Sequence, residues 1–151
     1  MLVLADEAAT GRLAARVASL ARRGDVIALG GPLGVGKTSF ARAFIRASGA
    51  ADAEVPSPTF TLVEVYERPG APIWHFDLFR LDAPADVFEL GIEEAFADGI
   101  SLVEWPERLG PLLPRERLGV ELFFADTPQS RRATVTAPPA WSERLGALDH
   151  V

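Results

Sequence analysis

The chain has 151 residues, of which 48% are hydrophobic, so it has enough apolar material for a folded domain with a core. It contains no cysteine, which excludes disulfide frameworks, thiolate catalysis and cysteine-based zinc sites. Its formal net charge of −6 at pH 7 argues against a protein that captures nucleic acid by its own electrostatics, so any RNA would be reached through a partner.

The N-terminal residues and the apolar runs give expectations about location and domain organisation. The N-terminus turns acidic after five apolar residues and has no basic region, so we expect no signal peptide. No apolar run approaches the length that spans a membrane. We therefore expect a cytoplasmic protein with a single domain over residues 1–151.

The first third of the chain predicts a helix, a buried strand and a second helix. Apolar residues at helical spacing predict an amphipathic helix over residues 6–23, which Gly24 ends. The apolar run 25–29 predicts a buried strand that a pair of glycines stops. Helical spacing resumes over residues 38–48, so the glycine-rich loop lies between a strand and a helix.

The rest of the chain predicts strands with short helices between them. A turn rich in proline and glycine, over residues 69–72, joins two strands into a hairpin, and an apolar strand follows two short helices. The predicted strands are 61–66, 73–79, 100–104, 118–124 and 133–136, the last two forming a final hairpin, and the predicted short helices are 83–90 and 92–96. The fold class is therefore α/β, with a central mixed sheet that has a parallel core, antiparallel hairpin additions and flanking helices.

The glycine-rich loop at residues 31–38, GPLGVGKT, matches the P-loop pattern of nucleoside triphosphatases. Fourteen of the fifteen basic residues are arginine, and the single lysine, Lys37, stands where a P-loop requires one. A compact ammonium fits between the β- and γ-phosphates better than a planar guanidinium does. The sequence thus predicts a P-loop NTPase, in which Lys37 binds phosphates and the Thr38 hydroxyl binds Mg²⁺. The backbone N–H groups that cradle the phosphates are expected from Leu33, Gly34, Val35 and Gly36 onward.

A P-loop enzyme also needs an acidic residue at the end of a neighbouring strand, and two residues fit. Glu104 ends a uniformly apolar run, so we favour it as the acid that holds Mg²⁺ and orients the attacking water. Asp77 ends a less uniformly apolar strand and is a second candidate for a catalytic carboxylate near the metal. Which of the two positions the water stays open at this point, and either acid could simply be solvated at a strand end.

Two further segments have alternative interpretations. Ser57, Thr59 and Thr61 lie on a proline-stiffened loop whose composition is typical of a nucleotide-sensing switch, although a plain turn before a strand is equally compatible. His75 lies between two aromatic residues in a strand, where a histidine is more often structural than catalytic.

Four segments together resemble one protein family in content and order. They are GVGKT at 34–38, SPTFTLVE at 57–64, HFDLFRL at 75–81 and LVEWPE at 102–107. The chain is similar in these segments, and over nearly its whole length, to the bacterial TsaE (YjeE) family of ATPases in tRNA threonylcarbamoyladenosine biosynthesis. A P-loop alone is shared by many NTPases, so the other three segments make the resemblance specific.

The resemblance implies an enzyme that hydrolyses ATP with Mg²⁺ and binds the TsaD and TsaB proteins, which modify tRNA; tRNA is then reached only indirectly. It implies that Lys37 and the 33–38 loop hold phosphates, that Thr38 and Glu104 serve the metal, and that Asp77 and the 57–61 loop lie near it. It also implies nucleotide contacts by Glu7 and Arg131.

Two positions depart from the family pattern. Phe79 stands where a tyrosine is expected, and Pro32 where an acidic residue is common, at a loop position that need not donate a hydrogen bond.

A GTPase is disfavoured because the chain has no asparagine for the guanine-reading motif. A small-molecule kinase with residues 108–117 as its lid is the enzyme alternative, and a nucleotide-gated binding module is a third interpretation.

Overall fold

The computed structural model describes residues 1–49 and 62–146, which form a seven-stranded sheet with helices on both faces. The strands are β1 (Leu2–Leu4), β2 (Val26–Gly30), β3 (Val63–Tyr66), β4 (Ile73–Asp77), β5 (Ile100–Glu104), β6 (Leu118–Phe124) and β7 (Arg131–Thr136). The α-helices are α1 (Glu7–Leu20), α2 (Lys37–Ala47), α3 (Ile92–Asp98) and α4 (Pro139–Leu145). Two 3₁₀ segments cover Pro84–Leu90 and Pro106–Leu112.

The sheet is mixed, as the sequence predicts. Its strand order is β1-β7-β6-β2-β5-β4-β3, which puts the P-loop strand β2 in the middle. The four strands β6, β2, β5 and β4 are parallel, whereas β3 pairs antiparallel with β4 and the β7–β1 edge is antiparallel as well. The parallel strands therefore bring their carboxyl ends to one edge, which is where open α/β sheets bind ligands.

Alternating residues of the central strands divide the core into two layers. Ile27 and Leu29 of β2 face α1 and α2 and pack with Phe40 and Phe44 of the P-loop helix. Val26 faces the opposite side, where α3 and the 3₁₀ segments cover it. Both layers exclude water from the middle of the sheet, so the ends of β2, β5 and β4 are held by a packed core.

Several element bounds differ from those expected. Strand β1 was not predicted, because its three residues acquire their hydrogen bonds only by pairing with β7. Strand β4 ends at Asp77, two residues earlier than expected, and the predicted helix at 83–90 is a 3₁₀ segment. Helix α1 stops at Leu20, where Ala21 turns to an extended backbone before Gly24 is reached. Within the described residues, no helix is long and apolar enough to cross a membrane.

Gly31 begins the P-loop in a conformation that only glycine adopts easily. Its φ is +135°, and a Cβ there would lie 2.6 Å from the Leu122 carbonyl oxygen and 2.8 Å from a methyl carbon of Val35. Because the Leu122 oxygen belongs to the backbone of β6, a change of side-chain rotamer cannot relieve this clash.

We expect Gly31→Ala to destabilise the protein by about 3 kcal/mol, since it combines strain at positive φ with overpacking. Gly34→Ala is the matched control: Gly34 also has a positive φ, +80°, but a Cβ there meets no atom of residues 1–49 and 62–146 within 4 Å. We expect that change to cost about 1 kcal/mol. Urea unfolding without nucleotide measures both, and equal losses would contradict the packing argument.

Candidate functional site

The P-loop connects the end of β2 to helix α2, which begins at Lys37. Gly36 precedes the helix with a φ of +118°, and no side chain in the described part of the chain caps this end. The first intrahelical bond is donated by the N–H of Phe40 to Gly36, so the N–H groups of Lys37, Thr38 and Ser39 have no acceptor within the helix. These donors and the helix dipole favour an anion here. Of the predicted loop donors, Val35 uses its N–H inside the turn, bonding to the Pro32 oxygen at 3.2 Å.

The ammonium of Lys37 folds back onto its own loop. Its Nζ donates to the carbonyl oxygen of Gly31 and lies 3.4 Å from that of Pro32. The same nitrogen lies 3.4 Å from the centroid of the Trp105 ring, a cation–π contact. Burial lowers the pKa of Lys37 below the ordinary lysine value, and the charges of Glu104 and other carboxylates oppose this effect. A polyanion in the cleft would favour the charged form further.

Glu104 lies at the end of β5, beside the P-loop strand, and receives hydrogen bonds from two elements. The Thr38 hydroxyl lies 2.9 Å and 3.1 Å from its two carboxylate oxygens, and His75 Nε2 of β4 lies 2.6 Å from Oε2. The carboxylate is 2% exposed and the histidine is fully buried. The structure thus brings together the predicted P-loop hydroxyl and the favoured acid, and adds His75, whose place between two aromatic residues favours a structural role.

Asp77 lies beside Glu104, because the two residues are register partners at the ends of β4 and β5. One of its oxygens accepts a hydrogen bond from the N–H of Phe79 at 3.2 Å. Asp77 is 6% exposed and lines the same cavity as Lys37 and Thr38. Both candidate acids therefore face the helix α2 side of the carboxyl edge of the sheet.

Hydroxyl and carboxylate oxygens are the ligands that Mg²⁺ prefers, so Thr38 and Glu104 fit the ion that the sequence predicts. Within the described residues, no cluster of three or more histidine, aspartate and glutamate side chains could hold a metal alone. A Mg²⁺ ion that takes one or two protein ligands and completes its shell with phosphate oxygens and water needs no such cluster.

The P-loop separates two cavities that share Gly34, Gly36 and Ser39 in their linings. One has a volume of about 380 Å³ and contains Lys37, Thr38, Asp77 and Glu104 in its lining. The other, of about 500 Å³, lies between the N-terminus of α1 and the β6–β7 turn. Glu7 and Arg131 both line this second cavity, so two residues 124 positions apart in sequence meet beside the P-loop, while their contact with nucleotide stays a prediction.

Arg131 braces the P-loop from the neighbouring hairpin. Its Nε donates to the Val35 carbonyl at 2.7 Å, and its Nη1 donates to the carbonyls of Pro128 and Ser130, both at 2.9 Å. The guanidinium carbon lies 4.8 Å from the centroid of the Phe124 ring. The arginine predicted to contact nucleotide thus also fixes the loop that would bind the phosphates.

We expect Arg131→Met to weaken ATP binding about tenfold, because it removes charge-assisted hydrogen bonds that hold the loop. Arg132→Met is the matched control, since Arg132 makes, among the described residues, a single 3.5 Å ion pair with the 90% exposed carboxylate of Asp126. That change should leave the affinity for ATP within about twofold. Titration calorimetry of both variants measures the difference, and similar affinities would rule out the bracing role.

Trp105 follows Glu104 in a left-handed backbone conformation, with φ +58° and ψ 52°. Its ring lies between Lys37 and Phe79, whose ring centroid is 5.0 Å away. A non-glycine residue in this region costs free energy and is held only by its surroundings. No local sequence pattern indicates this geometry, whereas the spacing of His75 does indicate its place in the site: it lies two residues before Asp77, so both side chains point to one face of the sheet.

The predicted switch residues Ser57, Thr59 and Thr61 lie outside the described residues. Their part in the site therefore stays a prediction.

Comparisons with known proteins agree on one family. The family model "Threonylcarbamoyl adenosine biosynthesis protein TsaE" matches residues 4–133. The chain is 37% identical to the tRNA threonylcarbamoyladenosine biosynthesis protein TsaE of Rickettsia bellii, over 82% of this chain and 86% of the relative. It is 36% identical to the protein of the same name from Bacillus subtilis, over 85% of this chain and 79% of the relative. The crystal structure of Bacillus subtilis YdiB superposes with a TM-score of 0.78 at 26% identity and covers 98% of this chain and 92% of that one. The seven-stranded mixed sheet, the P-loop at its centre and these matches show that the chain belongs to the TsaE family.

Proposed function

We propose that the protein is a Mg²⁺-dependent ATPase that supports the TsaD–TsaB pair in threonylcarbamoyladenosine modification of tRNA. One observation carries the proposal: Lys37, Thr38 and Glu104 meet where the P-loop joins helix α2, in a chain of the TsaE family. The names of its relatives include tRNA threonylcarbamoyladenosine biosynthesis, which supports the process in which it acts.

The phosphate-binding end of the site is formed by the positive charge of Lys37 and by the N–H groups at the start of α2. The unpaired N–H groups at the start of α2 receive phosphate oxygens, and Lys37 exchanges its loop carbonyls for the β- and γ-phosphates. The ammonium needs only to turn, because its nitrogen already lies in the cavity that Thr38 and Glu104 line. The base and ribose occupy the neighbouring cavity, against Glu7 and Arg131.

The hydrolytic end of the site is formed by the carboxylates at the ends of β4 and β5. Thr38 and Glu104 would hold Mg²⁺, and the bound ion would supply positive charge that offsets the negative charge of the phosphates. Glu104 also orients the attacking water, because its carboxylate is buried and held on two sides. Asp77 lies next to it in register and contributes a second negative charge to the metal neighbourhood.

The partner assignment rests on the family. The net charge of −6 disfavours direct capture of tRNA, so tRNA is reached through the partner proteins. Ser57, Thr59 and Thr61 form a switch that responds to the triphosphate, and complex formation is therefore stronger with ATP than with ADP. The protein acts in the cytoplasm, as one domain over residues 1–151.

The decisive experiment measures Mg²⁺-dependent ATP hydrolysis by the protein alone and with the purified TsaD–TsaB pair. We expect the protein alone to hydrolyse ATP slowly and the pair to stimulate hydrolysis strongly. The Lys37→Ala variant is the inactive control. Phosphate transfer to an added hydroxylated metabolite, without stimulation by the pair, would instead indicate a small-molecule kinase.

A further inference from the structure

His75 is buried within strand β4 and contacts the proposed metal-binding carboxylate directly. Its Nε2 lies 2.6 Å from Oε2 of Glu104, and none of its surface is exposed. The parallel register pairs His75 with Leu102, two residues before Glu104 on β5. The side chains of all three residues point to one face of the sheet, so the imidazole spans the gap to the end of the neighbouring strand.

The second ring nitrogen shows which tautomer the site holds. Nδ1 of His75 is buried and has no hydrogen-bond partner in the described part of the chain. A proton on Nδ1 would be a buried donor without an acceptor, which costs more than an unused acceptor on a neutral ring. The ring proton therefore lies on Nε2, where the Glu104 carboxylate accepts it.

His75 and Thr38 make their shortest contacts to different oxygens of the Glu104 carboxylate. The imidazole donates to Oε2, while the shorter of the two Thr38 contacts, 2.9 Å, is to Oε1. His75 is fixed by the sheet and the core, whereas the Thr38 hydroxyl can rotate. When Thr38 turns its hydroxyl to a cation, the imidazole remains as the group that fixes the carboxylate.

We propose that His75 is a positioning residue of the hydrolytic site: its Nε2–H holds Oε2 of Glu104 and directs Oε1 toward Thr38 and the cation. This inference rests on the proposed function. Without the imidazole bond the carboxylate can rotate about its side chain, so metal affinity and turnover fall. Nucleotide affinity stays close to that of the wild type, because phosphate binding depends on the P-loop.

The first test compares three variants at the same buried position. A glutamine amide nitrogen can occupy the place of Nε2, whereas an asparagine amide reaches only the place of Nδ1. We expect His75→Gln to change kcat and the Mg²⁺ half-saturation constant by about 3-fold at most. We expect His75→Asn and His75→Leu to lower kcat and raise the Mg²⁺ requirement about 10- to 100-fold each, with KM for ATP little changed. Equal kinetics in Gln, Asn and Leu variants that remain folded would overturn the proposal.

The second test observes the tautomer directly and requires no activity. The chain has two histidines, His75 and His150, so His150→Gln leaves one imidazole for nitrogen-15 NMR. We expect a proton on Nε2 and none on Nδ1 in the nucleotide-free protein. In Glu104→Ala, the Nε2 proton should lose its downfield shift and exchange faster with water. A proton found on Nδ1 would overturn the proposal, even if the buried variants failed to fold.

The two tests separate this inference from the proposed function. If the wild-type protein hydrolyses no ATP, with or without TsaD–TsaB, the proposed function fails while the NMR result still decides whether His75 holds Glu104. If the wild type is active and His75→Asn retains full turnover and Mg²⁺ affinity, the positioning role fails alone.

Discussion

Replacing Lys37 with alanine is expected to lower ATP binding and hydrolysis by at least about 100-fold while the protein stays folded. Lys37 is the only lysine in the chain, and its ammonium lies at the mouth of the P-loop in contact with loop carbonyls. No other lysine side chain can therefore replace it at the phosphates. The fold should survive because helix α2 is held by Phe40 and Phe44, which remain in the core.

Equilibrium binding of ATP and the hydrolysis rate measure this effect, and circular dichroism checks the fold. Lys37→Arg is the matched control, since it keeps the positive charge and changes only its shape. We expect this variant to stay clearly impaired, because a planar guanidinium fits poorly between two phosphates. Hydrolysis at the wild-type rate in Lys37→Ala would refute the assignment of the site.

Replacing Glu104 with glutamine is expected to separate binding from hydrolysis. The amide keeps the shape of the side chain, and its one oxygen can still accept the hydrogen bond from His75, but it removes the negative charge. ATP binding should persist, since the P-loop donors and Lys37 are unchanged. Hydrolysis should fall by roughly tens- to thousands-fold, because the charge that serves the metal and orients the water is lost.

Single-turnover hydrolysis at saturating Mg²⁺ and ATP measures the chemical step for Glu104→Gln. Glu116→Gln, an exposed glutamate in the connection before β6, makes the same change of charge away from the cleft. We expect the control to hydrolyse ATP at nearly the wild-type rate. A parallel loss of ATP binding in Glu104→Gln would make Glu104 a residue that holds nucleotide, and not the one that orients the water.

Much of the central fold could be predicted because its signals are local. The apolar run before Gly30-Gly31, the helix after the loop and the run that ends at Glu104 each form the expected element. Strand β1 could not be predicted, since its hydrogen bonds depend on β7, a segment distant in sequence. The early end of β4 at Asp77 likewise depends on the partner strands, with Leu78 already donating to the Glu104 carbonyl across the strand ends.

The site was predictable in its residue types and only partly in its contacts. Motif spacing identified Lys37, Thr38 and Glu104, but the contact of His75 with Glu104 depends on the register of β4 and β5. Sequence spacing does not encode that register. The cation–π contact of Trp105 with Lys37 similarly requires the left-handed backbone at Trp105, for which a non-glycine residue gives no local signal.

The central place of β2 in the sheet has a consequence for how nucleotide affinity and turnover can vary. Three strands lie on each side of β2, and the hairpin on one side carries Arg131 while the strands on the other carry Asp77 and Glu104. A nucleotide that spans both cavities would rest its base over one half of the sheet and its terminal phosphate over the other. Substitutions in the β6–β7 half can then tune how long ATP stays bound, and those in the β4–β5 half how fast it is cleaved. The two properties can therefore change independently within one domain.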